Sequence, residues 1–217
     1  MYQVNQPLHT FGDGDCWKII KPHSLKPTVL AAGVGHRISF EEQLASELDA
    51  DILLVDPTPT GIATISSLGG VIPNIEYQQV GLAAKDQEMA FSLPKNPEEG
   101  SFSLASDNND TNVRFQCRTV DTLAASRSWN HIDILKMDIE GFEYEILESV
   151  SSWQTSVDQI CVEIHVKNSS GTIHSVWDAV SLFWRLRRQG YAIIYNSAMD
   201  FTFARTDFTK RKNTVVR

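Results

Sequence analysis

Cysteine is scarce in this chain of 217 residues, which contains Cys16, Cys117 and Cys161. An odd number of cysteines without a Cys-x-x-Cys pair argues against a disulfide framework and against a cysteine-based zinc site. This usage is typical of a protein that works in a reduced compartment, and we expect a cytoplasmic location.

Long apolar runs and an excess of basic residues are also missing. The apolar runs stop short of the roughly 20 residues that a membrane helix requires, and residues 1–10 lack the basic start and apolar run of a signal peptide. The formal net charge is −8, whereas general nucleic-acid binding needs Lys and Arg to displace counterions from phosphates. We therefore expect neither a membrane nor a nucleic acid as a partner, while composition says nothing about the oligomeric state.

What is present is an alternation of short β-rich runs and helical segments, which is typical of a parallel sheet covered by helices. Apolar residues make up 42% of the chain, which is enough to fill such a core. The expected strands are residues 28–32, 52–55, 75–80, 132–137 and 160–165, followed by a closing β pair at 191–195 and 201–205.

A single domain is expected over residues 28–217, preceded by an N-terminal extension, residues 1–27, that packs on it. Residues 84–119 are rich in Asn, Asp, Ser and Pro, with β-prone pieces at 89–93 and 113–117. This stretch is too short to form its own core. It therefore predicts a small hairpin-bearing insertion rather than a second domain.

Three helical segments follow predicted strands. Ser39 and Glu42 have the spacing of a capping box, which predicts a helix that starts at Ser39. Another helix starts at Gly141, and its periodicity places Glu143 in water. A long helix is expected around residues 174–189. The tryptophans expected to pack in the core or against helices are Trp153, Trp177 and Trp184.

Two glycines, Gly33 and Gly35, follow the first predicted strand, and Asp56 follows the second. In an open α/β sheet, ligands bind at the carboxyl ends of the strands, and an acid about 20 residues beyond a glycine turn is typical of ribose binding. The same glycines can instead serve only a tight strand-to-helix turn. Ile38 stands where a dinucleotide fingerprint has its third glycine, which favours the shorter loop of a sulfonium nucleoside cofactor.

Three ionisable residues lie at the carboxyl ends of the fourth and fifth predicted strands. Asp138 ends the fourth strand, and Glu163 and His165 share one face of the fifth. Because neighbouring parallel strands end at one edge of a sheet, we expect these side chains to meet there. His165 suits a general base for a hydroxyl proton, oriented by Asp138 or Glu163; alternatively, the three residues can hold a divalent metal. The absence of a tightly spaced ligand motif favours the metal-free alternative.

Residues 134–147, ILKMDIEGFEYEIL, form the most specific motif in the chain. Here the chain resembles the FkbM-type methyltransferases, whose hallmark is a strand running into Lys-x-Asp-x-Glu-Gly before a helix with an acid and a Leu. The matching residues are Lys136, Asp138, Glu140, Gly141, Glu145 and Leu147. Segments 118–123 (RTVDTL) and 162–165 (VEIH) are similar to further parts of the family pattern, so the resemblance covers about residues 15–205.

The resemblance implies a class I methyltransferase, or Rossmann-like, α/β fold: a seven-stranded, mostly parallel sheet with the last strand antiparallel and helices on both faces. It also implies S-adenosylmethionine as the cofactor and O-methylation of a small hydroxylated metabolite or saccharide. The residues that would bind the cofactor are Gly33, Gly35, Asp56, Pro57, Gly81 and Asp138. Ala31 departs from the pattern, because many methyltransferases carry there an acid that holds the cofactor's amino group.

Two other functions are open on the sequence alone. A nicotinamide-dependent oxidoreductase shares the order of strand, glycine, helix and acid, but the third glycine is missing. A non-catalytic domain of the same fold, which binds a nucleoside and regulates a partner, is favoured by Ala31.

Overall fold

The structure, a computed structural model, describes residues 6–14, 16–70, 72–92, 103–104, 112–167 and 173–210. These residues form a central sheet, a smaller second sheet and an N-terminal hairpin. The strands in chain order are β1 (Leu8–Phe11), β2 (Trp17–Ile20), β3 (Thr28–Ala32), β4 (Asp51–Val55), β5 (Ile75–Gln78), β6 (Gly81–Leu82), β7 (Gln87–Ser92), β8 (Ser103–Leu104), β9 (Asn112–Arg118), β10 (His131–Met137), β11 (Ser156–Glu163), β12 (Tyr191–Ser197) and β13 (Asp200–Arg205). The α-helices are α1 (Ser39–Leu48), α2 (Pro59–Ser67), α3 (Val120–Ser126), α4 (Glu143–Glu148) and α5 (Val176–Arg188). Within the described ranges, no helix has both the length and the apolar character needed to cross a membrane.

The central sheet has seven strands in the order β12-β13-β11-β10-β3-β4-β5. The pairings from β11 to β5 are parallel, whereas β13 is antiparallel to both of its neighbours. The reversal follows from the tight turn at Ala198 and Met199, since only antiparallel strands can be joined by so short a connection. The last strand is antiparallel, as expected, and the sheet is mixed, which corrects the expectation of a mostly parallel one.

Both faces of the central sheet are covered. Alternate residues of a strand point to opposite faces, and Leu30 of β3 packs in a core cluster with α3, α4 and α5. Its neighbour Val29 packs instead with Phe40 and Leu44 of α1. Burial from both sides explains why β3, β4 and β10 have nearly unbroken apolar sequences.

The described part of the N-terminal extension packs on the sheet through β1 and β2. Trp17 and Ile19 share a buried cluster with Val29. The amide of Gln159, which is fully buried in β11, forms two hydrogen bonds of 2.8 Å with the backbone N–H and C=O of Ile20. The extension and the sheet therefore share one core.

The insertion contributes most of the second sheet, in which β7 and β9 form an antiparallel pair. The strand β6, which lies just before the insertion, pairs in parallel with β9. Phe91 and Cys117 of these strands belong to the main core cluster. The insertion thus packs on the domain's core through these strands. Residues 93–102 and 105–111 lie outside the described residues, so that part of the predicted insertion is not covered.

The helix α1 begins at Ser39, but Ser39 does not cap it. Ile38 precedes the helix without a side-chain cap, and the hydroxyl of Ser39 accepts a hydrogen bond of 2.9 Å from the backbone N–H of Asp13. The predicted capping box is wrong because the turn between β1 and β2 takes up this hydroxyl. A capping box is found instead at the start of α5, between Ser175 and Asp178.

Candidate active site

The loops that follow β3 and β10 touch at the carboxyl edge of the sheet. Gly33 adopts φ +88°, and a Cβ at this position would overlap the carbonyl oxygen of Asp138. Gly33 is therefore required by the approach of the two loops, whether or not a cofactor binds. Gly35 has φ +55° and open space where a Cβ would stand. Because Gly35 has no side chain, this space beside the loop stays empty.

Asp56, directly after β4, is 5% exposed. Its Oδ2 accepts a hydrogen bond of 2.8 Å from the backbone N–H of Val34, and its Oδ1 accepts one of 2.7 Å from that of Thr58. The carboxylate thus links the loop after β3 that contains Gly33 and Gly35, the glycine loop, to the start of α2. Each oxygen keeps a second lone pair, so these bonds leave Asp56 able to accept from ribose hydroxyls.

A first cavity lies between the ends of β3, β4 and β10 and the second sheet. It is lined by all the residues predicted to bind the cofactor, namely Gly33, Gly35, Asp56, Pro57, Gly81 and Asp138. Leu82, Phe91 and Phe142 give it an apolar wall. A carboxylate beside an apolar wall suits a nucleoside, which combines a hydroxylated ribose with a flat aromatic base.

A second cleft of about 300 Å³ adjoins the first cavity. Its charged lining residues are Arg37, Glu41, Lys136, Asp138, Glu163 and Asp200. Gly35 and Asp138 line both spaces. The first cavity and the second cleft therefore share a boundary at the end of β10.

Lys136, the lysine of the motif at 134–147, is buried and bonds to the glycine loop. Its Nζ donates a hydrogen bond of 2.8 Å to the carbonyl oxygen of Gly33 and lies 3.6 Å from Oε1 of Glu41. Glu41 is 2% exposed, and its Oε1 accepts no hydrogen bond within the described part of the chain. Glu41 is not among the site residues predicted from the sequence.

The structure brings Asp138, Glu163 and His165 together. One oxygen or nitrogen atom of each side chain lies within 4.8 Å of the others. β10 and β11 are parallel neighbours, so their ends meet at one edge as the sequence had indicated. The strand β11 ends at Glu163, so His165 lies just beyond it and is only 4% exposed.

Glu143 contacts both the backbone and the ring of His165. The sequence had predicted that Glu143 faces water. Its Oε1 accepts a hydrogen bond of 2.7 Å from the backbone N–H of His165 and lies 3.2 Å from the ring atom Nδ1. Its Oε2 accepts one of 2.8 Å from the N–H of Gly141. The prediction failed because Glu140 and Gly141 adopt positive φ values, and this turn directs the first side chain of α4 inward.

The carboxylates around His165 keep its imidazole charged. Burial lowers the pKa of His165, but the hydrogen bond and charge of Glu143, with the charges of Glu140 and Glu163, raise it to about 9. Burial raises the pKa of Glu163, and the negative charge of Asp138 raises it further, to about 7, although His165 opposes the shift. At neutral pH these values describe an imidazolium beside a Glu163 carboxyl that is partly protonated.

Both ring nitrogens of His165 face carboxylates, which bears on the metal alternative. Nδ1 lies 3.2 Å from Glu143, and Nε2 lies 3.4 Å from Oε2 of Glu140. Without a metal, this arrangement stabilises the protonated ring. A divalent ion at Nε2 would replace that proton, and Glu143 would then be the carboxylate that orients a metal-binding imidazole. Asp138, Glu163 and His165 therefore supply ligand atoms that fit a metal as well.

Comparison with protein families agrees with the resemblance of the motif at 134–147. The family model described as the methyltransferase FkbM domain matches residues 18–193, which is most of the chain. The matched range includes the glycine loop, Asp56 and the cluster of Asp138, Glu163 and His165. A search among curated proteins found no match.

Proposed function

The chain belongs to the FkbM methyltransferase domain family, and from this premise we propose that it transfers a methyl group from S-adenosylmethionine to a hydroxyl of a small metabolite or saccharide. The observation that carries the proposal is the boundary at Gly35 and Asp138, where the first cavity meets the second cleft. A cofactor in the cavity and an acceptor in the cleft would meet there. Alignment of two reactants is the main contribution of an enzyme to a displacement at an already activated carbon.

The lining of the first cavity supports S-adenosylmethionine as the cofactor. Asp56 would accept hydrogen bonds from the ribose hydroxyls, and Leu82 and Phe142 would contact the adenine. Gly35 leaves space beside the loop. When bound, the cofactor supplies a methyl group on a positively charged sulfur.

Glu41 is the residue that we assign to the cofactor's amino group, because position 31 has no acid. Ala31 is fully buried in an apolar cluster with Ile38 and Leu54. On the neighbouring strand it is paired with Lys136, whose Nζ lies beside Glu41. Glu41 therefore brings a carboxylate from α1 close to the position where the usual acid is missing. Its Oε1 accepts no hydrogen bond from the described residues, and Glu41 is among the residues that line the second cleft.

Glu163 is the proposed general base, with Asp138 as its partner. Both line the second cleft, and a pKa of about 7 for Glu163 matches the condition for a base that works near neutral pH. Glu163 would accept the proton of the acceptor hydroxyl, while the bound cofactor would supply the methyl group to the acceptor oxygen and leave as S-adenosylhomocysteine. Among the three predicted catalytic residues, this assignment favours Glu163 over His165 as the base, since an imidazolium has no lone pair to offer.

His165 is then a positioning cation. Its charge lies near Glu163, with Nε2 3.9 Å from Oε1 of that residue, and stabilises the ionised carboxylate. Glu143 fixes the orientation of the ring from the opposite side. Burial and the charge of Asp138 make Glu163 a weaker acid than usual, and the cation of His165 limits that rise in pKa, so that Glu163 can both accept and release a proton.

The test combines cofactor binding with turnover. Calorimetry should detect binding of S-adenosylmethionine, and release of S-adenosylhomocysteine should appear with one or more hydroxylated acceptors from a panel of small metabolites and saccharides. Asp56→Asn should weaken cofactor binding about tenfold or more, because charge-assisted hydrogen bonds contribute roughly 1.5–3 kcal/mol each. Asp49→Asn, the same change on an exposed residue, is the matched control and should bind as the wild type does.

The other outcomes separate the alternatives. A folded wild-type protein that fails to bind S-adenosylmethionine contradicts the proposal, and binding of NAD in its place supports the oxidoreductase. Binding of S-adenosylmethionine without turnover on any acceptor supports the non-catalytic nucleoside-binding domain that Ala31 favours.

A further inference from the structure

We propose that the exposed apolar face of α5 is the interface of a homodimer, in which the helices of two copies pack antiparallel. The face consists of Trp177, which is 80% exposed, Trp184, which is 62% exposed, and Val176 and Val180. Ile173, just before the helix, is 81% exposed and extends it. The sequence predicted that these tryptophans pack in the core or against helices, whereas both are exposed, which corrects that expectation.

The periodicity of α5 places these side chains on one stripe. Residues three, four or seven positions apart share a face of an α-helix, so Val176, Val180 and Trp184 follow one another along it, with Trp177 beside them. The opposite face carries Ala179, Leu182 and Leu186, which are buried in the main core. The helix is thus apolar on two sides, and the domain itself covers one of them.

An apolar stripe of this kind is unusual for a surface without a partner. Single exposed apolar residues are normal, but contiguous apolar patches mark interaction sites. Tryptophan is enriched at the energetic centres of protein interfaces, where it fills a pocket of the partner. Two tryptophans about two turns apart on one face therefore point to a protein surface as the occupant of the face.

The spacing of the stripe fits a second copy of the same chain. In a two-fold interface, residue i of one copy meets residue j of the other and the reverse. An axis that passes between Val180 and Ser181 brings Trp177 of each copy against Trp184 of its partner. The same axis brings Arg188 of each copy near Ile173 of the other, so the three arginines at the end of α5 lie at the rim, as charged residues do in interfaces.

The available area agrees with a dimer of modest stability. A tryptophan buries about 150–250 Å², so the two tryptophans and the aliphatic residues offer roughly 500 Å² per copy. A pair of copies then buries about 1,000 Å², near the lower limit for a specific interface. Each copy carries a net charge of −8, so added salt should strengthen the association by screening the repulsion.

The experiment measures the mass of the purified full chain in solution. Sedimentation velocity over a wide concentration range should show a monomer–dimer equilibrium that shifts towards dimer at higher salt. The double change Trp177→Ser with Trp184→Ser should weaken the dimer at least about tenfold, as loss of interface hot spots does. Leu25→Ser is the matched control, because Leu25 is 93% exposed but lies outside the face, and it should leave the mass unchanged.

A cross-link tests the antiparallel geometry separately. Val180→Cys, made together with Cys16→Ser because Cys16 is exposed, should give a covalent dimer with a short bismaleimide, whereas Leu25→Cys in the same background should not. A wild-type chain that stays monomeric at every concentration and salt overturns the proposal, and so does a dimer that survives the double tryptophan change. A monomer that binds vesicles of anionic lipid through Trp177 and Trp184 overturns it in favour of a membrane-facing surface.

Discussion

Glu143 and His165 form the central contact beneath the candidate site: one carboxylate oxygen of Glu143 accepts a 2.7 Å hydrogen bond from the backbone N–H of His165 and lies 3.2 Å from Nδ1 of its ring. Glu143 is fully buried. A buried carboxylate needs a cation or several hydrogen-bond donors to remain ionised, and His165 supplies both. The charge of the ring is therefore coupled to the charge of a residue that does not reach the second cleft.

This coupling predicts the effect of Glu143→Gln on titration. Loss of the negative charge should lower the pKa of His165 from about 9 towards the ordinary histidine value, because burial is then opposed only by the charges of Glu140 and Glu163. The pKa of His165 can be measured by NMR of the ring protons. Glu145→Gln, on the exposed side of α4, should leave it unchanged. An unshifted His165 in a folded Glu143→Gln protein contradicts the coupling.

The pH dependence of turnover identifies the base. If Glu163 accepts the proton, it must be ionised first, so the rate should rise with pH through about 7 and then level off. A rise through about 9 instead would assign the base to His165. Glu163→Gln should reduce turnover by roughly 10²–10⁴ while the affinity for S-adenosylmethionine stays nearly constant, and His165→Asn measures the contribution of the positioning cation.

Gly33 and Gly35 should respond differently to alanine. Both have positive φ, where an L side chain costs roughly 1–2 kcal/mol, but at Gly33 the new Cβ also overlaps the carbonyl oxygen of Asp138. Urea unfolding should therefore show the larger loss for Gly33→Ala. Gly35→Ala should stay folded and bind S-adenosylmethionine less well, since its Cβ occupies free space. Equal stability of the two variants would rule out the contact between the loops.

Glu41→Gln tests the anchor proposed for the amino group. The change should weaken binding of S-adenosylmethionine about tenfold, because it removes a charge-assisted contact. Binding of 5′-methylthioadenosine should be unaffected, because it has the nucleoside but lacks the amino acid part of S-adenosylmethionine and hence its α-amino group. If both ligands lose affinity equally, Glu41 acts through Lys136 and the glycine loop rather than on the amino group.

His131 predicts how stability depends on pH. Its Nε2 lies 3.4 Å from Asp158 and 3.7 Å from Asp133, and its hydrogen bonds to Asp133 and Asp158 raise the pKa of His131 to about 9. The folded state holds the proton more tightly than the unfolded state, so this stabilisation is complete below about pH 6.5 and is lost as the pH rises through about 9. Urea unfolding should show that loss in the wild type and in the His36→Gln control, and a smaller loss in His131→Gln, in which only His165 still titrates over this range.

The bounds of β3, β4 and β10, and the sheet edge at which these strands end, were predictable from the sequence. β3 has the bounds expected from its apolar run, and β4 and β10 begin one residue earlier than expected, because a short apolar segment closed by Gly, Pro or Asp is specified locally. The proximity of Asp138 and Glu163 followed from the parallel arrangement, in which neighbouring strands end at the same edge. Together with the resemblance to the FkbM-type methyltransferases, this arrangement indicated six of the residues that line the first cavity.

Tertiary structure alone decided which groups those side chains contact. A helical period states which residues share a face, but it does not state what lies opposite that face. Glu143 was assigned to water by its period and is buried by the turn before it, and Trp177 and Trp184 were assigned to the core and are exposed. In the same way, Ser39 bonds to Asp13 and Lys136 bonds to Gly33. These contacts join segments far apart in the chain, so their energies depend on how the strands and loops are brought together rather than on any local pattern.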